Sequence, residues 1–149
     1  MVDTFALTDN EHGVTFSSRQ WEADGWLEQF LVTISAPGRE ACAWVVNSRY
    51  IASPEEFFSE LAAGWRGWSG EKLWYAIDQE LQLVATADSL GHVTLQVQLQ
   101  PSTGAQSWRV VAHAYFEAGQ LESLAERAAR FFRPSPNNSF KPTPLRGTA

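Results

Sequence analysis

Leu81-Gln82-Leu83-Val84-Ala85-Thr86-Ala87-Asp88-Ser89-Leu90-Gly91-His92-Val93-Thr94-Leu95-Gln96-Val97-Gln98-Leu99-Gln100 alternates apolar and polar residues on either side of one tight turn. Asp88 stands at the first and Gly91 at the last position of a type I turn. Leu81, Leu83, Ala85 and Ala87 lead in at period two, and Val93, Leu95, Val97 and Leu99 lead out. That is the periodicity of strands with one buried face. His92, Thr94, Gln96, Gln98 and Gln100 form the opposite face, so one side of the hairpin is expected to be wet.

The same reading extends in both directions. Downstream, Pro101 to Gln106 reads as a loop and Trp108 to Glu117 as a strand, apolar at Trp108, Val110, Ala112, Ala114 and Phe116. From Gln120 to Phe132 the period becomes helical, with Leu121, Leu124, Ala125, Ala128 and Phe131 on one stripe and Arg127, Arg130 and Arg133 near the negative dipole end. Upstream, Leu73, Tyr75 and Ile77 alternate after the loop Gly67-Trp68-Ser69-Gly70. Before that loop, Ser53-Pro54-Glu55-Glu56 is a helix start, with Ser at the N-cap, Pro at the first helical position and Glu56 placed for a capping box. The helix is predicted to run to about Trp65, with Phe58, Leu61, Ala62 and Trp65 as its buried stripe.

The first 50 residues predict two further hairpins. Phe5 and Leu7 face Val14 and Phe16 across Asn10-Glu11-His12-Gly13, and Phe30, Val32 and Ile34 face Cys42, Trp44 and Val46 across Pro37-Gly38. The second is apolar on both faces, which predicts a place inside the sheet. The order is therefore ββββαββββα. It predicts an α+β fold, with a curved antiparallel sheet of about six to eight strands and two helices packed on it. The two halves repeat one order without sequence identity that would make them a duplication.

Of 149 residues, 44% are hydrophobic, with seven Trp and nine Phe, so the chain has the material for a core. Residues 1–133 are expected to form a single domain. Residues 134–149, with prolines at 134, 136, 142 and 144, have too little apolar surface to offset the entropy of ordering and are expected to be a flexible tail. The net charge of −6 is uneven: Arg133, Lys141 and Arg146 are three of the 11 basic residues, and all 17 acids precede them, so residues 1–132 carry 8 against 17, or −9. Such a surface repels nucleic-acid backbones and attracts basic proteins. Cys42 is the only cysteine, which excludes an internal disulfide and a cysteine metal cluster within one chain. The N-terminus reads as neither a signal peptide nor a membrane anchor, and a cytoplasmic protein is expected.

Catalytic signatures are sparse. His12, His92 and His113 have no metal-ligand spacing, and no Gly-x-Ser-x-Gly elbow or phosphate-cradling loop is present. No cofactor and no catalysis are expected, and His92 beside Asp88 reads as a solvent-facing hairpin histidine. The densest aromatic stretch, Trp65, Trp68, Trp74 and Tyr75, supplies candidate anchors for a partner. With the acids Glu71, Asp78 and Glu80, the three tryptophans form the candidate partner-binding set.

Gly70-Glu71 followed by a strand into Glu80-Leu81-Gln82-Leu83, together with Asp88-x-Leu90-Gly91-His92-Val93, resembles WapI-type immunity proteins and an uncharacterised bacterial family of the same layout. The likeness runs from about Trp26 to Phe132, and Trp21-Glu22-Ala23-Asp24-Gly25-Trp26 stands where that family has Trp-Asp-x-Asn-Trp. The resemblance implies a non-catalytic protein that occludes a toxin domain, here a basic one, through an acidic and aromatic surface. The run from Asn137 to Ala149 is similar to tails produced when a gene in an integron cassette reads into the recombination site, which implies a mobile bacterial gene. The rival expectation is a small-molecule-binding or enzymatic domain with a pocket between sheet and helices.

Overall fold

The computed structural model describes residues 3–8, 12–101 and 107–134. The expected tail beyond Pro134, most of the 101–106 loop, and Asn10 and Glu11 of the first turn lie outside the described residues. The strands are β1 (Phe5–Ala6), β2 (Gly13–Trp21), β3 (Leu27–Ala36), β4 (Arg39–Val46), β5 (Lys72–Tyr75), β6 (Leu81–Ala87), β7 (His92–Leu99) and β8 (Val110–Glu117). Helix α1 (Pro54–Ala63) follows β4, and α2 (Leu121–Phe132) follows β8 through a 3-10 turn at Ala118–Gln120. The fold is α+β in the order ββββαββββα, as the sequence predicts.

The eight strands divide into two four-stranded antiparallel meanders, β1-β2-β3-β4 and β5-β6-β7-β8. Asn47 donates its main-chain N–H to Glu28 O at 2.9 Å, so the Gln29↔Val46 pair is non-hydrogen-bonded and the Val46 main chain faces away from β3. A further ladder could begin there. Instead the Glu80 carboxylate accepts the Val46 N–H at 2.9 Å, which joins the two sheets through a side chain.

The central hairpin has the expected register, with Leu81↔Leu99, Leu83↔Val97, Ala85↔Leu95 and Ala87↔Val93 on the inner face. Asp88 Oδ1 accepts the main-chain N–H groups of Leu90 at 2.8 Å and His92 at 2.9 Å, and Gly91 takes φ +86°, which favours glycine there. Two other strands present the opposite face from the one expected. In β4 the buried residues are Ala43 and Val45, while Trp44 and Val46 are exposed, and β4 is an edge strand, not an interior one. In β5, Trp74 is buried and Leu73 and Tyr75 face outward. Both strands are apolar on both faces, so alternation alone cannot choose; their partners decide, Phe30 pairing with Val45 and Leu83 with Trp74.

Helix α1 starts as predicted, with Ser53 extended at the N-cap, Pro54 first and Glu56 Oε2 accepting the Ser53 N–H at 3.4 Å. It ends at Ala63 with Gly64 as its C-cap, so Trp65 lies beyond the helix and the buried stripe is Phe57, Phe58 and Leu61. Arg133 at the end of α2 pairs with Glu55 in the first turn of α1, so the helices run antiparallel. Ser53→Ala is expected to cost about 1 kcal/mol through loss of the cap, and Leu95→Ala about 2–5 kcal/mol through a cavity. Urea denaturation that ranked them in the opposite order would contradict the hairpin register.

Both sheets and both helices share one apolar cluster. Its densest part is aromatic: Phe16 lies 5.3 Å from Phe5, 5.7 Å from Phe30, 5.8 Å from Phe132 and 6.3 Å from Phe131 between ring centroids. Ser18, at φ 54°, breaks the β2–β3 register. Past that bulge Arg19 donates to Phe131 O near the end of α2 at 3.2 Å, with its guanidinium 5.0 Å from the Phe131 ring. Among the described residues no helix is long and apolar enough to cross a membrane.

Candidate functional site

The fold separates the six residues expected to bind a partner. Trp74 is buried and donates Nε1–H to Ala52 O at 2.7 Å, so it belongs to the core. Glu80 is also buried. Trp68 is half-buried, donating to Ala85 O at 3.4 Å with Lys72 Nζ 5.1 Å from the ring. Trp65 is 54% exposed, carries Arg66 against its ring at 5.0 Å and lines a cleft of about 420 Å³ with Ala118 and Glu122 on the helix side. Glu71 and Asp78 are exposed on either side of β5. Two of the six, Trp74 and Glu80, are therefore interior, and the other four reach the surface.

What the sheet does assemble is the outer face of β5-β6-β7-β8. Its cross-strand rows are Leu73, Val84, Gln96 and His113, then Tyr75, Gln82, Gln98 and Val111, then Thr86, Thr94 and Tyr115. Leu73, Tyr75, Val111 and Tyr115, with Ile77 just past β5, are between 41% (Tyr75) and 70% (Tyr115) exposed. The His113 and Tyr115 rings stack at 6.4 Å. The middle of this face carries no Asp, Glu, Lys or Arg side chain; Glu71, Asp78, Asp88 and Glu117 stand around it, with Arg109 two residues before Val111. A charge-poor centre holding Tyr and aliphatic groups inside a charged rim is the usual anatomy of a protein interface. The β7 side of this face is wet, as the sequence predicts, and the flanking strands add apolar side chains that the alternation of β6 and β7 does not show. Their signal was the doubly apolar pattern of β5 and the Val111 and Tyr115 positions of β8.

The acids at one end of this face are engaged. His92 Nδ1 meets Asp88 Oδ2 at 2.9 Å, and Nε2 lies 3.6 Å from Glu117 Oε2. A ring with a carboxylate at each nitrogen offers neither nitrogen freely to a substrate, which argues against a general base here. The Asp88 hydrogen bond, then the Asp88 and Glu117 charges, raise the His92 pKa above its ordinary value; the amide and ring donors of His92 hold Asp88 below its own. The His92 contribution to stability is therefore complete below the ordinary histidine range and fades as pH rises through its raised value. The Asp88 contribution is complete above the ordinary carboxylate range and fades as acid titrates it. Asp88→Asn should lower the His92 pKa in an NMR titration. An unchanged titration would mean the pair does not form in solution.

The Trp21 to Trp26 stretch is a clamp. Arg49 Nη2 meets Glu22 Oε1 at 2.7 Å and Asp24 Oδ2 at 2.6 Å, its guanidinium lies 4.8 Å from the Trp26 ring, and Trp26 Nε1–H donates to Asn47 O at 2.8 Å. Its two acids thus share one internal cation. No group of three or more His, Cys, Asp or Glu side chains among the described residues could hold a metal ion.

Neither the curated proteins nor the solved structures yield a match to this chain. Residues 6–135, most of the chain, match the Family of unknown function (DUF6228), and the chain belongs to that family.

Proposed function

We propose that this chain is a non-catalytic binding protein that occludes a basic protein partner with the outer face of β5-β6-β7-β8. The observation that carries the reading is the charge-poor face with Leu73, Tyr75, Ile77, Val111 and Tyr115 exposed inside a rim of four acids and one base, Arg109. Apolar side chains on an open sheet face lose contact with water only when something covers them. The rim and the charge of −9 on residues 1–132 select a cationic partner, while they repel nucleic acid and anionic lipid. The partner expected from the immunity-protein resemblance is a basic toxin domain met in the cytoplasm. The cassette-like tail is consistent with it, since self-protection genes are useful mobile cargo.

Pull-down from the native host, with co-expression against toxins encoded nearby, tests this reading. Tyr75→Ala and Tyr115→Ala should each weaken the complex by about 2 kcal/mol, roughly thirtyfold, chiefly through faster dissociation. Glu71→Lys with Asp78→Lys should slow association and flatten its salt dependence. Recovery of only a metabolite, or its turnover by the purified protein, would sink the reading.

A further inference from the structure

We propose that this chain pairs with a second copy of itself through the open edge of β4, with Cys42 on the two-fold axis of the dimer. This goes beyond the partner-capture reading and uses a strand of the other sheet. β4 closes one side of β1-β2-β3-β4 and pairs with β3 without a bulge from Ala36↔Arg39 to Gln29↔Val46. The main chain of Val46 points away from β3, so alternation sends the N–H and C=O groups of Trp44, Cys42 and Glu40 the same way. Glu80 takes the Val46 N–H, while no donor or acceptor among the described residues meets the outward groups of the other three. Proteins block such edges with proline, lysine, an inward charge or a bulge. From Ala41 to Val46, Ala-Cys-Ala-Trp-Val-Val, β4 carries none of these. The edges β1 and β5 are only two and four residues long, and β8 shares a groove with Gly13 of β2 and Ser123 of α2.

The register selects a second copy as the occupant. The open residues Glu40, Cys42 and Trp44 are symmetric about Cys42. Two copies of β4 running antiparallel about an axis there exchange two hydrogen bonds at Cys42↔Cys42 and two at each Glu40↔Trp44, which uses every outward group of the three. Beyond Glu40 the second copy turns at Pro37-Gly38, opposite the point where Glu80 holds the edge. Other axes do worse. An axis at Glu40 sets that carboxylate against itself, one at Ala41 leaves Trp44 opposite the turn, and one at Ala43 or Trp44 calls on the Val46 N–H that Glu80 already holds. With the axis at Cys42 a charge-free centre meets a charge-free centre, Ala41 faces Ala43 on the inner side, and the two Glu40 carboxylates stand at opposite ends. Trp44, 44% exposed beside Leu31, gains Cys42 of the second copy as its diagonal neighbour.

The test is sedimentation equilibrium of the full chain under reducing conditions, with amide hydrogen exchange followed over the same concentrations. Expected is a monomer–dimer equilibrium that tightens with salt, because each copy carries −6. The amides of Glu40, Cys42 and Trp44 should become protected as the concentration rises. Cys42 is exposed, so its side chain can be changed without touching the β3 ladder, and urea midpoints near the parent's would show that the variants fold. Cys42→Lys and Cys42→Glu should each weaken self-association about fivefold by placing like charges together on the axis, and an equimolar mixture of the two should recover it. Of these variants Cys42→Lys carries the least net charge, so a tighter mixture could not come from net charge alone. A monomer at every concentration, or a mixture that associates no more tightly than Cys42→Lys by itself, would overturn the proposal. So would protection of the three amides that develops only when a different protein is added. Capture of a basic partner by the outer face of β5-β6-β7-β8 weakens with salt and should survive Cys42→Lys, so the failure of either reading leaves the other standing.

Discussion

Phe16→Ala is expected to cost about 3–5 kcal/mol, a large part of the roughly 5–15 kcal/mol by which a domain of this size is stable. The residue is fully buried and central to its cluster. Phe5 of β1, Phe30 of β3, Phe58 of α1 and Phe131 and Phe132 of α2 all lie within 6.5 Å of it, centroid to centroid. Those rings come from every layer around the first sheet, so collapse into the vacated volume would require helices and strands to move together, and close-packed interiors relax only partly. The measurement is the urea midpoint, with an unchanged slope showing that the unfolded state is not altered. Tyr115→Ala, on the outer sheet face, should stay within about 0.5 kcal/mol of the parent. A loss below about 1 kcal/mol for Phe16→Ala would mean that this ring does not hold the layers together.

Much of this architecture is legible in the chain because its signals agree. The Asp88 to Gly91 turn, the Ser53-Pro54 helix start and the leucine stripe of α2 each specify local structure with a mechanism, and all three are found where the sequence places them. Legibility fails where a strand is apolar on both faces. Cys42, Trp44 and Val46 compete with Ala43 and Val45, and the smaller set wins because Phe30, Val32 and Ile34 on β3 already fix which side is the core. The division into two sheets is likewise not written in any single strand. It depends on what meets the free edge of β4, and that is a side chain 34 residues away. For the candidate site, reading tryptophans as anchors failed at Trp74, whose indole N–H finds a carbonyl inside the fold. A large ring with a satisfied polar tip is as much at home in a core as at an interface. The outer face became visible only once register placed Tyr75, Val111 and Leu73 in adjoining rows.

Glu80 was expected at the acidic binding surface, and the strongest correction concerns it. Glu80→Lys should cost about 3–5 kcal/mol, because it puts an unpaired ammonium where the parent has an acceptor. The side chain follows Gln79, which adopts φ 62°, and that turn swings Glu80 inward, where it is 5% exposed. One carboxylate oxygen takes the edge N–H of Val46; the other, like Asn47 Oδ1 on the next residue, is buried with no hydrogen-bond partner among the described residues. Glu80→Ala would leave the Val46 N–H without its acceptor, at a cost of about 1–3 kcal/mol. Glu80→Gln keeps an acceptor for Val46 and removes the buried charge, so it should be the mildest of the three. The order Gln, Ala, Lys in urea midpoints tests the junction between the sheets. If Glu80→Lys instead unfolded with the parent's midpoint, the carboxylate would have to be solvated and the link between the sheets absent. The comparison also decides how binding must be probed: Asp78→Lys, two residues earlier and exposed, changes charge within about 0.5 kcal/mol of parent stability. A change at Glu80 would confound a lost partner with a lost fold.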